Sequence, residues 1–399
     1  MHSSDHAQKR PLTLLYCLHQ ACYFFAIAGI GAFAVTYLMD KGFAASQIGI
    51  MLAMTSILSC ALQPLIGSYV DRRSMSLLSS IILRFLCIAL VSFVLIEALH
   101  PPVAVMAILF VLGSLTFSIT VPLSSSLCAY YSQSGYHIDY GMGSGVGSLS
   151  FSVASLAIGY MIASLGSSFM MWFCLSFVLV EMLLVLRYPK IGSTSSTSDR
   201  PKSGSSLSLP AFCRRYRRFI LTLLGVMLLA ACHAMAENYL IQVFTRLGGG
   251  SEHVGTALFL ACTTAAPFLL FFEKIQKKTG VVILMRLAGL FYVLKAALLI
   301  FAPSIVSVYL IELLQTFTYA FLYPSLYYFV GMRIDAADTA KGQTIASSLY
   351  TLGTALGNSL GGTTIDLLGL NVMLALAAVI AAAGMLLVNL TISKSDVNA

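Results

Sequence analysis

Two ionisable side chains one helical turn apart, His233 and Glu237, interrupt an apolar run that reads C-H-A-M-A-E-N-Y. Residues four apart share one face of a helix, so an imidazole and a carboxylate lie side by side. Asn238 and Gln242 carry the polar character onward. A carboxylate in low-dielectric surroundings can exchange protons near neutral pH, which makes Glu237, with His233 as neighbour, the first candidate for proton coupling. A second candidate, Glu312, is followed by Gln315, Tyr319, Tyr323 and Tyr327 at spacings of three and four, nearly one stripe. Lys295 falls at matching depth in the preceding run, so a structural Lys295–Glu312 pair accounts for Glu312 as well as function does. The tyrosines read equally as packing or as a binding wall. His233 and Glu237 have neither the H-E-x-x-H spacing nor the further ligands of a zinc site, so no metal is expected. The sequence contains no P-loop, and a G-x-G-x-G run from Gly141 has no strand before it, so no cofactor is expected either.

Other polar residues sit in apolar surroundings too. His19, Gln20 and Tyr23 fall within two turns of each other, and polar groups in hydrocarbon usually face an aqueous cavity. Arg84 lies about two turns from the end of its run; snorkelling, or pairing with Glu181 at similar depth, is the expectation. The stretch from Thr116 to Ser126 is rich in hydroxyls and contains Pro122, which suits a cavity wall.

The elements that must position these groups are long apolar helices. Hydrophobic residues make up 58% of the 399 positions and charged ones 10%, with a mean hydropathy of +0.89. Soluble domains carry about a quarter charged residues. Apolar runs separated by short polar breaks predict helices over 12–39, 47–70, 77–98, 103–131, 141–165, 167–187, 217–245, 253–272, 280–302, 304–330, 341–368 and 371–392. Each is near the roughly 20 residues that cross a bilayer, and their continuity is helical rather than alternating. The expected fold is an all-α membrane protein with 12 transmembrane helices.

The net charge of +8 is not a nucleic-acid footprint. Of the 23 Lys and Arg, Arg84, Arg286 and Lys295 fall inside helices, and only Lys41 and Arg246 lie on the face away from the N-terminus. That asymmetry follows the positive-inside rule and places both termini in the cytoplasm of a cell whose plasma (inner) membrane the chain spans repeatedly. The nine cysteines form no C-x-x-C pattern and read as free buried thiols. The first helix lacks a cleavage site and is expected to be retained. Residues 188–216 are polar, Ser-rich and then basic, a linker expected to rest on anionic lipid head groups. It divides the chain into a six-helix bundle at 1–187 and another at 217–399. Asp71 and Arg84 are matched by Glu273 and Arg286 at an offset of about 202, as are Gly141 and Gly159, nearly, by Gly342 and Gly361. Several matches at one offset argue for a duplicated, pseudo-symmetric unit.

Between the second and third helices the chain reads Q-P-L-I-G-S-Y-V-D-R-R from Gln63 to Arg73. With two six-helix repeats and a basic central linker, this segment resembles the major facilitator superfamily, whose loop runs G-x-x-x-D-R/K-x-G-R/K. Gly67, Asp71 and Arg72 match that cytoplasmic gate motif, whereas Ser74 and Met75 depart from it. Q-P-L-x-G-x-x-x-D, D-Y-G-x-x-x-x-x-G-S from Asp139 to Ser148, and Gly342-Gln343 are similar to the group around the lactose and phenylpropionate permeases. Ser144 stands where that group has a sugar-holding arginine, and Tyr319 and Leu322 stand for its His and Glu. Its substrate and coupling residues therefore do not carry over. The resemblance implies a major facilitator fold in which helices 1, 4, 7 and 10 line a central cavity.

Those helices carry no mid-membrane Lys or Arg, which disfavours anionic solutes. The expectation is a secondary transporter, not an enzyme, that works by alternating access, with proton-coupled uptake of a small neutral polar solute of the sugar or nucleoside class. The alternatives are proton-driven efflux of amphipathic cations, which acids and aromatics also suit, and a non-transporting receptor or scaffold of the same fold. A monomer with no nucleic-acid partner is expected.

Overall fold

The computed structural model describes residues 4–70, 75–133, 136, 138–189 and 208–392. In chain order its helices are α1 (Ser4–Ile27), a π-helical turn (Ala28–Ala32), α2 (Ala34–Asp40), α3 (Ala45–Val70), α4 (Met75–Leu99), α5 (Val103–Gln133), α6 (Tyr140–Leu165) and α7 (Ser167–Leu186). There follow α8 (Leu209–Arg215), α9 (Arg217–Asn238), α10 (Leu240–Arg246), α11 (Ser251–Leu270), α12 (Phe272–Thr279), α13 (Val281–Ile300), α14 (Ile305–Glu312), α15 (Gln315–Arg333), α16 (Thr339–Leu368) and α17 (Leu370–Thr391). By length and composition, 11 helical stretches are apolar enough to cross a membrane. The one expected span outside that set is α16, which at 30 residues is long enough. Its hydropathy is lowered by Lys341, Gln343, Asn358 and Asp366.

The described residues form two compact units, Met1–Phe43 with Met54–Ser196 and Val254–Phe259, and Ala44–Ala53 with Thr197–His253 and Leu260–Ala399. The same packing scheme recurs in each. In the first unit α1 packs on α6 and α7, and α4 on α5 and α7. In the second, α9 packs on α16 and α17, and α13 on α15 and α17. Missing side chains set the closest approaches: a Cβ on Gly357 of α16 would lie 2.2 Å from the carbonyl oxygen of Ala231 in α9. Glycine is the residue that lets two helix backbones meet this closely.

The spans that open each unit are interrupted. The first breaks at the π-helical turn, and the matching span of the second unit breaks at Tyr239, between α9 and α10. The Tyr239 hydroxyl donates to the carbonyl oxygen of Asn358 at 2.8 Å. A further break falls between α14 and α15, where Leu314 and Phe317 donate three residues back, to Ile311 and Leu314, at 3.0 and 2.9 Å. Such tightened turns bend a helix without proline.

Beyond each opening break, a cation closes the short terminal helix. Lys41, after α2, donates to Glu97 of α4 at 3.0 Å and to Ser168 of α7 at 2.9 Å, and Glu97 also accepts from the Tyr37 hydroxyl. Arg246, ending α10, donates to the carbonyl oxygens of Leu299 and Ile300 in α13 at 2.9 and 3.4 Å and to Asn371 of α17 at 2.6 Å. The partners occupy corresponding elements of the two repeats. Lys41 and Arg246, the two cations that the positive-inside pattern leaves on the far face, are thus held as matching clamps. A cation at a helix C-terminus also complements the helix dipole. Glu97 is only 4% exposed, and removing the partner of a buried carboxylate is costly. Lys41→Met is therefore expected to lose about 3 kcal/mol of stability, read as a fall in unfolding temperature in detergent. The double variant Lys41→Met/Glu97→Gln should recover most of it.

Candidate functional site

The second unit gathers its ionisable groups around one ammonium. Lys295, on α13, is buried. It donates to Glu312 at the end of α14 at 2.8 Å, to Gln315 at the start of α15 at 3.0 Å, and to Glu237 near the end of α9. Two of these partners flank the α14–α15 break and the third precedes the α9–α10 break, so the interruptions are what bring them to one point. Glu312 is fully buried, whereas the Glu237 side chain keeps 11% of its surface exposed. The second oxygen of Glu312, Oε1, is buried without a hydrogen-bond partner among the described residues.

Charge counting defines what this cluster can do. One ammonium balances one carboxylate, and a second ionised carboxylate in the same dry site leaves a net charge of minus one. Burial penalises such a charge, so a proton or a cationic group completes the balance. The sequence offers Glu312 either as the partner of Lys295 or as a functional acid, with Glu237 a separate proton site; the structure brings both carboxylates to the one lysine.

His233 lies beside the cluster, with Nδ1 3.9 Å from Glu237 Oε1. Its ring stacks on Tyr319, centroids 5.5 Å apart. Tyr319 stacks on Tyr323 at 5.3 Å, and Tyr323 meets Tyr350 of α16 edge-on at 5.4 Å. An imidazole and three phenols thus form an aromatic ladder beside the carboxylates. Asn238 points elsewhere and donates to Asn358 Oδ1 at 2.6 Å. Gln242 lines a separate cavity of about 400 Å³ with Thr245, Arg246 and Asn371.

The other sequence candidates belong to the first unit. Gln20 donates to the Tyr16 hydroxyl, and Tyr23 is buried in a stack on Phe117 with centroids 4.9 Å apart. His19 bonds Glu181 Oε1 through Nε2 at 3.2 Å. This corrects the expected Arg84–Glu181 pair: Arg84 is exposed, and the carboxylate points to α1 instead. Equal depth put the two residues at one level, but the helix azimuth decides which neighbour a side chain meets. Gly67 falls within α3, while Asp71 and Arg72 of the gate motif lie outside the described residues. In the second repeat, Glu273 accepts from Lys277 at 2.6 Å within α12. That contact holds the Glu273 carboxyl below the ordinary carboxylate range.

Long apolar helices in two like-packed units, with charges buried at helix breaks, are what a polytopic membrane carrier requires. Residues 16–376 match the family model described as "MFS_1 like family". The chain belongs to that family and is a major facilitator transporter, and its relatives are carriers rather than enzymes. It is 26% identical over 371 residues to the "Maltose permease" of Geobacillus stearothermophilus, covering 91% of this chain and 87% of that protein. The solved structure of the nucleoside transporter NupG superposes with a TM-score of 0.80 at 16% identity, over 95% of this chain and 98% of that one. A POT family transporter in complex with 5-aminolevulinic acid gives 0.71 at 11% identity, over 96% and 97%. At these identities the two structures speak to the fold alone.

Proposed function

We propose that the protein takes up a small neutral polar solute of the sugar or nucleoside class, coupled to protons, by alternating access. The observation that carries this reading is Lys295 shared by Glu237 and Glu312, a cluster that one proton makes neutral. The same sharing supports a neutral cargo, because the one cation there already serves two carboxylates and has no charge left for an anion. The His233–Tyr319–Tyr323 ladder offers flat faces on which a sugar or a nucleobase can lie. The maltose permease and NupG are carriers of the same two solute classes by name. In this reading the protein is a monomer of the plasma (inner) membrane, both termini are cytoplasmic, and the basic linker rests on anionic head groups.

Inverted vesicles with an imposed proton gradient test it. Maltose, related disaccharides and nucleosides are added in turn. One of them should dissipate the gradient in the parent protein and fail to do so with Glu237→Gln. Dissipation by lipophilic cations alone would replace uptake with drug efflux. Absence of any solute flux would leave a receptor or scaffold of the same fold.

A further inference from the structure

The first unit buries an acid–base pair of its own that the transport reading leaves unused. His19, on α1, and Glu181, on α7, are both fully buried. Nε2 of His19 meets Glu181 Oε1 at 3.2 Å and the Ser124 hydroxyl of α5 at 3.3 Å, and Nδ1 meets the Tyr188 hydroxyl at 3.3 Å. Both ring nitrogens are therefore engaged. Glu181 Oε2 is buried with no hydrogen-bond partner among the described residues.

We propose that His19 and Glu181 form a second exchangeable proton site, housed in the first unit and separate from the Lys295 cluster. With one proton, the pair is an imidazolium beside a carboxylate or an imidazole beside a carboxylic acid, and is neutral either way. Without it, the pair carries minus one. The second-unit cluster has the same two states by a different route, since one lysine faces two carboxylates. Each of the two clusters thus holds one buried acid in excess of its permanent positive charge, and each becomes neutral on taking one proton.

Among the residues whose side chains are described, the surroundings supply no competing charge. The titratable groups nearest the pair there are Tyr16, Cys17, Cys22 and Tyr23 of α1, Cys128 and Tyr131 of α5, and Tyr188. All seven are neutral near pH 7 in their ordinary forms. Charged residues with described side chains on the elements packed around the pair are committed elsewhere or face outward. Asp139 accepts from its own helix at Met142, Lys41 and Glu97 bond each other, and Asp40, Arg84 and Arg187 are exposed. A proton is the charge available to neutralise Glu181. The Ser124 hydroxyl, which donates to the Thr120 carbonyl oxygen at 2.9 Å, accepts from Nε2, and the Tyr188 hydroxyl, which donates or accepts as needed, fits either protonation state of the ring.

The test reads protonation directly and needs no solute. Purified protein in lipid is titrated across about pH 5 to 8, the range in which histidine changes charge, while the infrared bands of protonated carboxyl and imidazolium groups are recorded. The parent should show a titrating band. Glu181→Gln should remove one component of it, and that component should persist in the Glu237→Gln/Glu312→Gln double variant. An unchanged titration in Glu181→Gln would overturn the proposal, whatever becomes of the coupling role of Glu237. If Glu181→Gln does not fold, His19→Asn is titrated instead. A moved midpoint for one carboxyl component supports the site, and an unmoved one removes it.

Discussion

Lys295→Met is expected to be the most damaging single substitution in the protein. The ammonium is the shared donor for Glu237, Glu312 and Gln315, and methionine fills its volume without its charge. Two carboxylates then face each other in a site where their side chains are only 0% and 11% exposed. Breaking a buried ion pair by deleting one partner costs about 3–5 kcal/mol, a large fraction of the marginal stability of a folded domain. The expected result is a sharp fall in folded yield and unfolding temperature, and solute flux lower by roughly a hundredfold, as about 2.7 kcal/mol of lost stabilisation implies. Lys295→Met/Glu312→Gln should recover part of the loss, because it returns the uncompensated charge from minus two to the parent's minus one and leaves it on the less buried Glu237. Parent-like stability in Lys295→Met alone would show that the three groups do not act as a unit.

The pairing of Lys295 with Glu312 was legible because the two lie 17 residues apart on one helical hairpin, where equal depth nearly ensures contact. Glu237 lies 58 residues from Lys295, and no local pattern relates them. Depth matching failed for Glu181, whose partner His19 is 162 residues away, because depth says nothing of rotation about the helix axis. The breaks that shape the site were hidden for a different reason. Pro324 is the residue that advertises a bend, yet it lies inside α15, and the chain departs from the α-helix at Leu313–Leu314 instead. The spans themselves were readable from apolar length, and α16 was recovered despite its polar content because glycines and hydroxyls left its run unbroken. The clamps at Lys41 and Arg246 were visible only as exceptions to the charge asymmetry. Their partners, a carboxylate and a serine hydroxyl in one repeat and two backbone carbonyls and an asparagine side chain in the other, lie on corresponding helices but share no residue type, so residue identity does not reveal the match.

Glu237→Gln should separate movement of solute from its coupling to protons. The amide oxygen of glutamine can still accept from Lys295, so the hydrogen-bond geometry at the α9–α10 break survives. The substitution also removes one of two acids from a cluster with a single cation, which leaves Lys295 and Glu312 as a balanced pair. The packing cost is therefore small, within about 1 kcal/mol. What disappears is the excess acid, and with it the need for a proton. Solute movement without net accumulation, measured as exchange between equal internal and external pools, should continue within about threefold of the parent. Accumulation against a solute gradient should be lost, and the dependence of flux on external pH should flatten. Glu312→Gln makes the contrasting case. It too leaves one acid per lysine, but the acid removed is the fully buried one, so the Glu237 carboxylate, 11% exposed, remains. If Glu237 is the group that exchanges the proton, Glu312→Gln should retain more pH dependence than Glu237→Gln. Equal loss in both would assign the proton to the cluster as a whole, and retained accumulation in Glu237→Gln would remove this carboxylate from the coupling mechanism.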